Sequence, residues 1–229
     1  DPVFLRTLYR VGNASSTNPK NSQSVVQFLA EYYATYDLTE FFTLFWPRAY
    51  GRQPTVIGPN YFGAGAESSL DIEYIMSVGD AVPTTFWSNA DDESPNAEPF
   101  LTWLLAVDKT ESPPLVFSVS YGDDEDHVSE EYSSRTNIEL MKQGVRGISV
   151  LFASGDSGVG GDGGSKCKKF SPDFPATSPY ATAVGGTYST GLLMDGPESA
   201  LYLSGGGFSD LWDRPAYQKT QVETYLKTA

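Results

Sequence analysis

With one cysteine and one histidine in 229 residues, the chain lacks the raw material for two large classes of chemistry. Cys167 has no second thiol with which to form an internal disulfide or a thiolate cluster, and His127 by itself builds no polyhistidine metal centre. Any histidine-dependent catalysis has a single candidate. Positive charge is also scarce: 15 Lys and Arg stand against 29 Asp and Glu, a net charge of −14. Such a surface repels phosphate backbones and anionic lipid headgroups, so no nucleic-acid and no membrane partner is expected. No stretch approaches the roughly 20 consecutive apolar residues of a spanning helix. The longest β-rich runs, Pro114 to Tyr121 and Ile148 to Ala153, have strand length, and a soluble chain is expected. No apolar signal core precedes the first elements, so the sequence reads as a mature chain. Asn13-Ala14-Ser15 is the lone N-x-[ST] sequon, which makes Asn13 a glycosylation acceptor if the chain follows the secretory route.

What is present is enough apolar matter for a core: 40% hydrophobic and 14% aromatic residues against 19% charged describe a folded domain rather than a disordered one. Without repeats or a long linker, residues 1–229 read as a single domain. Helical spacing of Val25, Phe28, Leu29 and Tyr32, then of Leu38, Phe41, Phe42 and Phe45, predicts two helices between Ser22 and Trp46. A strand over Pro54 to Gly58 leads through the turn Gly63 to Gly65 into a helix over Ala66 to Val78. Next come a strand at Thr84 to Trp87, an acidic segment with proline, and a helix around Phe100 to Val107. The clearest unit follows: strand Pro114 to Tyr121, helix Val128 to Gly144, strand Gly147 to Ala153. Strand, helix, strand with short connections is a βαβ crossover, which implies parallel strands and a doubly wound α/β domain. A last strand is expected at Ala181 to Gly186. Ligands of such sheets sit at the carboxyl ends of the strands, so Ser118 to Asp124 and Ser154 to Gly158 are the segments to interrogate.

Four groups of residues have the chemistry for a site. Glu67 and Asp71 lie four apart on the predicted helix, and Leu70, Tyr74, Ile75 and Val78 fall on the same side, which sets two carboxylates in an apolar stripe. Glu73 marks where an exposed acid of that helix would go. Two carboxylates held close in an apolar setting share a proton and suit a general base with its supporting acid; the competing reading is acidic groups solvated at a helix N-terminus. The second group is Ser154-Gly155-Asp156-Ser157-Gly158, where either Ser157 serves as a nucleophile or Asp156, at the tip of a strand, is the working group. A serine of the trypsin type needs a histidine base, and His127 lies in the acidic run Asp123 to Asp126, where solvation is its expected state. The third is Ser118-Val119-Ser120-Tyr121-Gly122, a strand end able to run beside an extended peptide, or an ordinary buried strand end. The fourth is Ser204-Gly205-Gly206-Gly207-Phe208-Ser209, where three glycines allow close backbone approach or merely a flexible loop.

Together with Phe174-Pro175-Ala176-Thr177-Ser178-Pro179-Tyr180 and Ala183-Val184-Gly185-Gly186-Thr187, these segments resemble the sedolisin family of serine-carboxyl peptidases, and within it the lysosomal members that remove amino-terminal tripeptides. The resemblance implies a subtilisin-like, doubly wound fold with a mostly parallel sheet and helices on both faces, and a Ser-Glu-Asp triad working at acid pH. It implies Glu67 as general base, Asp71 as the acid that orients it, and Asp156 as the carboxylic acid that stabilises the oxyanion. Ser118, Val119, Ser120, Tyr121 and Gly122, with Ser204, Gly205 and Gly206, resemble the walls of the substrate groove, and Asp123 is a candidate partner for a peptide's free amino terminus.

One family feature is missing. The nucleophile of these peptidases sits in a Gly-Thr-Ser-Ala-Ser type segment, and none occurs before Ala229; Thr187-Tyr188-Ser189 lacks the pattern, and Ser157 belongs to the Asp156 motif. The expectation is a C-terminally incomplete catalytic domain, inactive as an isolated chain. No metal site and no cofactor is expected in it, because the family's calcium site also belongs to the absent region, and Cys167 is expected as a free thiol. Expected partners are peptides or unfolded polypeptides, with self-association through bared strand edges or a complementing C-terminal fragment. The lysosomal lumen or the exterior is the expected location. The alternative is a non-enzymatic module that binds peptides or proteins through the retained groove.

Overall fold

A computed structural model describes residues 1–89, 99–161, 169–190 and 196–228. The acidic segment at 90–98 and Cys167, with the expectation of a free thiol there, lie outside the described residues. The chain divides into two compact units, Asp1–Ser120 with Val145–Val150, and Tyr121–Gly144 with Leu151–Ala229.

The first unit opens with α1 (Pro2–Leu8), where the Asp1 side chain accepts from the Phe4 N–H and proline takes the first turn, the position at which its missing N–H costs nothing. Then follow β1 (Gln23–Phe28), α2 (Thr35–Phe45), β2 (Thr55–Ile57), α3 (Ala66–Val78), β3 (Thr84–Asn89), α4 (Phe100–Lys109) and β4 (Val116–Val119). The strand order is β2-β3-β1-β4, with parallel pairing of β2 to β3, β3 to β1 and β1 to β4. The first residues of β6 (Ser149–Ala153) continue it, the Ser149 N–H donating to the Leu115 carbonyl at 2.9 Å.

The helix expected over the first part of Ser22 to Trp46 is instead β1, and only the second helix, α2, forms. All six residues of β1 are buried, because a central parallel strand is covered on both faces and shows no alternation. Its polar residues are satisfied inside: Gln23 Nε2 donates to the Ile75 carbonyl and Thr84 Oγ1, both at 3.0 Å, and Ser24 Oγ donates to the Thr85 carbonyl at 3.0 Å. Val25 of β1 shares a core with Leu38 and Phe42 of α2, Ile72 and Met76 of α3, and Phe86 of β3. At the far end of α3, the buried Arg6 donates to the carbonyls of Ser77 and Val78 and stacks 5.0 Å above Trp46, a cation where the helix dipole is negative.

The second unit contains β5 (Asp123–Asp124), α5 (Glu130–Val145), the remainder of β6, β7 (Asp173–Phe174), β8 (Thr182–Val184), β9 (Thr187–Ser189), β10 (Glu198–Ala200) and α6 (Lys219–Thr228). β8 lies parallel to β6, with Leu151 opposite Thr182; β5–β7 and β9–β10 are short antiparallel pairs. No helix among the described residues is long and apolar enough to cross a membrane.

Candidate active site

In the first unit, the turn that launches α3 is fixed by close packing. Gly65 is its N-cap residue, its N–H donates to the Tyr32 carbonyl at 2.7 Å, and a Cβ on it would lie 1.6 Å from Glu31 Oε2. Only glycine fits. Glu67 follows in the first helical turn, exposed, where the unpaired N–H groups favour a negative side chain. One turn on, Asp71 is half-buried, and residues four apart on a helix hold their Cβ atoms about 5–6 Å from each other. Gln27 of β1 donates Nε2–H to Asp71 Oδ2 at 2.8 Å, and the Ser120 side chain, just past β4, supplies a second hydrogen bond. Burial pushes the Asp71 carboxyl above its ordinary 3.8; the bonds from Ser120 and Gln27 oppose the rise without cancelling it. The group therefore holds its proton into milder acid than a free aspartate does.

Two details of this helix differ from the sequence expectation. Its core-facing line is Ser68, Ile72 and Met76, while Leu70 is 53% exposed, so the carboxylates flank the apolar stripe rather than sit in it; Tyr74 and Ile75 pack against its margin. Glu73 is half-buried, not solvated: burial, then the charge of Asp37, pushes its carboxyl up to about 7. The shift of one position arises because the stripe follows the slant by which side chains lean toward the helix N-terminus.

Of the expected groove strand, Ser118 lies opposite Val25 in the β1–β4 register and Val119 is 1% exposed, leaving it only backbone to offer. β4 ends at Val119, so Ser120, Tyr121 and Gly122 lie beyond the strand. Gln27 had no sequence signal: its partner is 44 positions away, and its segment reads as a helix.

In the second unit, the surroundings of Asp156 are built from backbone. Gly155 has φ +95°, a conformation L side chains avoid, and a Cβ there would lie 2.1 Å from Asp173 Oδ2. The Gly205 N–H donates to the Gly155 carbonyl at 2.9 Å, and Gly205 packs so tightly that a Cβ would lie 1.7 Å from the Ser154 carbonyl oxygen. Ser204 Oγ sits 3.2 Å from Ser154 Oγ and accepts the Gly186 N–H at 2.8 Å. Ser204, Gly205 and Ser154 thus come together around the turn that presents the exposed Asp156, with Gly206 next in line. Glycine here is a requirement of contact, not of flexibility.

Asp123 Oδ1 lies 2.9 Å from His127 Nδ1. The hydrogen bond that the imidazole donates to Asp123, with the charges of Asp123, Asp124 and Asp126, outweighs the opposing effect of burial and raises the histidine above 6.5. His127 is a partner of an acid rather than a base beside a serine. Asp124, Asp126 and His127 are the grouping with metal-ligand spacing among the described residues, their ligand atoms within 4.8 Å; Asp126 already meets Lys169 Nζ at 3.2 Å. Asn13 is exposed in a turn.

No family model matches the sequence. The whole chain is similar to tripeptidyl-peptidase 1 of Rattus norvegicus, 43% identical over 234 aligned positions, and to tripeptidyl-peptidase 1 of Homo sapiens, 41% identical, and it spans about two fifths of their length, 41% in each case. Among solved structures, Pseudomonas sedolisin, a serine-carboxyl proteinase complexed with two molecules of pseudo-iodotyrostatin, superposes with a TM-score of 0.75 at 20% identity over 96% of this chain and 66% of its own. The prenylagaramide maturation protease PagA superposes with a TM-score of 0.57 at 14% identity, over 94% and 65%. The architecture shared with these structures is the subtilisin-like α/β fold.

Proposed function

We propose, from the premise that this chain belongs to the sedolisin family, that it supplies the acid–base and oxyanion-stabilising groups of a peptidase that releases tripeptides from the amino termini of peptides in mild acid. The observation that carries the reading is Asp71: a half-buried carboxyl, raised in pKa, gripped by Gln27 at 2.8 Å and by Ser120, one turn after Glu67. A carboxyl that stays protonated in mild acid hydrogen-bonds a neighbouring carboxylate and holds it as a base, so Glu67 takes the proton of an attacking hydroxyl while Asp71 orients it. Asp156, exposed on its glycine-fixed turn, is the donor for the developing oxyanion; an aspartic acid donates there only when protonated, which suits an acidic compartment such as the lysosomal lumen. Ser120 to Gly122 and Ser204 to Gly206 line the bound peptide, and Asp123 is the acid available to its amino terminus.

The attacking hydroxyl comes from outside these 229 residues, since the family's serine segment is not among them. Taken alone, the 229 residues bind peptides without cutting them, and chain carrying the serine completes the site. The test is release of amino-terminal tripeptides from a fluorogenic peptide in mild acid, with and without a recombinant segment carrying the serine. Turnover only in the mixture supports the reading. Turnover by the 229 residues alone, abolished by Ser157→Ala, overturns it in favour of the serine beside Asp156, and peptide binding with no turnover in either arm favours a binding module.

A further inference from the structure

Within the second unit, a buried acid that the proposed chemistry does not use holds the glycine-rich segment in place. Glu125 is 4% exposed, and both of its carboxylate oxygens are committed: Oε1 accepts the Ser209 hydroxyl at 2.6 Å and Oε2 accepts the Asp210 N–H at 2.7 Å. Its own N–H donates to the Pro172 carbonyl at 2.9 Å, so the residue is anchored from the opposite side. Ser209 Oγ in turn accepts the N–H groups of Leu211 and Trp212 at 3.0 and 2.9 Å, which closes a tight turn directly after Gly205-Gly206-Gly207. At the other end of those glycines, Gly205 donates to the Gly155 carbonyl at 2.9 Å. Three consecutive glycines have no side chains with which to fix their own path; the segment is held by hydrogen bonds at its two ends, the Glu125 clasp and the Gly155 contact, and by packing of Gly207 against Phe170 and Pro172.

We propose that Glu125 is a positioning residue for this site: by clasping Ser209 and Asp210 it sets the path of Ser204 to Gly207 and, through the Gly205–Gly155 hydrogen bond, the turn that carries Asp156. The inference deepens the peptidase reading and rests on it for its effect on turnover, while the clasp itself is testable apart from activity. Glu125→Gln keeps the volume but removes the charge and turns one acceptor into a donor facing a donor. Hydrogen exchange of the protein is expected to quicken about tenfold or more at the Gly205 and Asp210 amides, the size of one lost charge-assisted hydrogen bond, with α5 amides unmoved. Glu139→Gln, which alters a buried glutamate bonded to Arg135 and Lys142 on α5, is the control and leaves both amides slow.

In the complete, active protein, kcat for tripeptide release is expected to fall about tenfold in Glu125→Gln with the melting temperature nearly constant, and the Glu125→Gln/Ser209→Ala double variant is no worse than either single one, because both break the same clasp. If Glu125→Gln does not fold, Ser209→Ala is read out in the same two ways. Unchanged exchange at Gly205 and Asp210 overturns the clasp whatever the activity. Quickened exchange with kcat and KM unaltered overturns its positioning role. Quickened exchange in a protein that never turns over peptides supports the clasp and instead removes the peptidase reading.

Discussion

Two acids, the half-buried Asp71 within α3 and the buried Asp80 just past its C-terminus, are handled in opposite ways. Asp80, just past its C-terminus, is completely buried at its side chain and is met by Arg52 at 2.8 Å and Arg48 at 2.9 Å, with the Trp46 ring N–H at 3.3 Å. Burial alone would raise its carboxyl, but the hydrogen bonds from Arg52, Ser15 and Trp46 and the charge of Arg48 outweigh that, and the net direction is down. Asp71, near the N-terminus, meets neutral donors, Gln27 and Ser120, and its net direction is up. A carboxylate matched with cations is committed to its charge and to structure. One supplied only with neutral hydrogen bonds can gain and lose a proton, which is what a catalytic acid requires. The helix is thus anchored at one end and chemically poised at the other.

Exchanging each acid for its amide separates the two roles. On the proposed peptidase reading, Asp71→Asn is expected to lower kcat for tripeptide release by about 10²-fold or more when assayed together with the serine-bearing segment, the usual weight of one acid–base group. Its stability should change by less than about 1 kcal/mol, since an amide oxygen still accepts from Gln27 and the cost of burying a charge disappears. Asp80→Asn should do the reverse, costing about 2–3 kcal/mol in urea unfolding at neutral pH while leaving kcat within about twofold; the figure stays low because Arg48 and Arg52 are 45% and 40% exposed and recover water. A variant pair in which both substitutions cost only stability, or both only turnover, would erase the distinction.

The pH dependence sharpens the contrast further. Asp80, lowered, contributes stability above its ordinary 3.8 that is lost as pH falls through its folded value, so Asp80→Asn and the parent protein converge in stability in strong acid. Asp71, raised, works in the other sense: its proton stabilises the fold at low pH, and that contribution is lost as pH rises from 3.8 through the folded value. Gln27→Leu removes a bond that favours the ionised form, so the Asp71 carboxyl should move higher still, and the alkaline limb of the pH–rate profile, where the working proton is lost, should follow it upward. The smallest effect expected is at Glu73, whose carboxyl stands at about 7 against an ordinary 4.5. The parent protein loses that contribution as pH rises between those values, and Glu73→Gln should be more stable by about 1 kcal/mol at pH 8, after allowance for solvent screening, and equal in acid. Thermal melts across that range check the sign.

Sequence patterning reaches the parts of this molecule governed by local rules. The spacing of apolar residues marks α2, α3 and α4, and the order of β4, α5 and β6 is legible because two β-rich apolar runs flank one long helix, although β4 itself is only Val116–Val119. It fails where long-range burial overrides the pattern: Val25, Phe28, Leu29 and Tyr32 give β1 a helical look, yet its Gln23, Ser24 and Gln27 each find a partner across the sheet or on α3. The acids themselves are visible as residue types at a spacing, but what tunes them is not. Asp71 is bonded by a glutamine 44 positions earlier, and Ser209, just after the glycines, is bonded to a glutamate 84 positions earlier. Nor does sequence distinguish the stripe of Ser68, Ile72 and Met76 from the neighbouring line one residue away, which is how Glu73 comes to be half-buried and Leu70 exposed.

The most direct test is a carboxyl titration by NMR of the protein with labelled aspartate, following Asp71 and Asp80 in the same sample. The Asp71 signal should have its midpoint above 3.8 and shift upward in Gln27→Leu, while Asp80 titrates below 3.8. A midpoint for Asp71 at or below 3.8, unmoved by loss of Gln27, would contradict the assignment of α3 as the helix that carries the proton-holding acid.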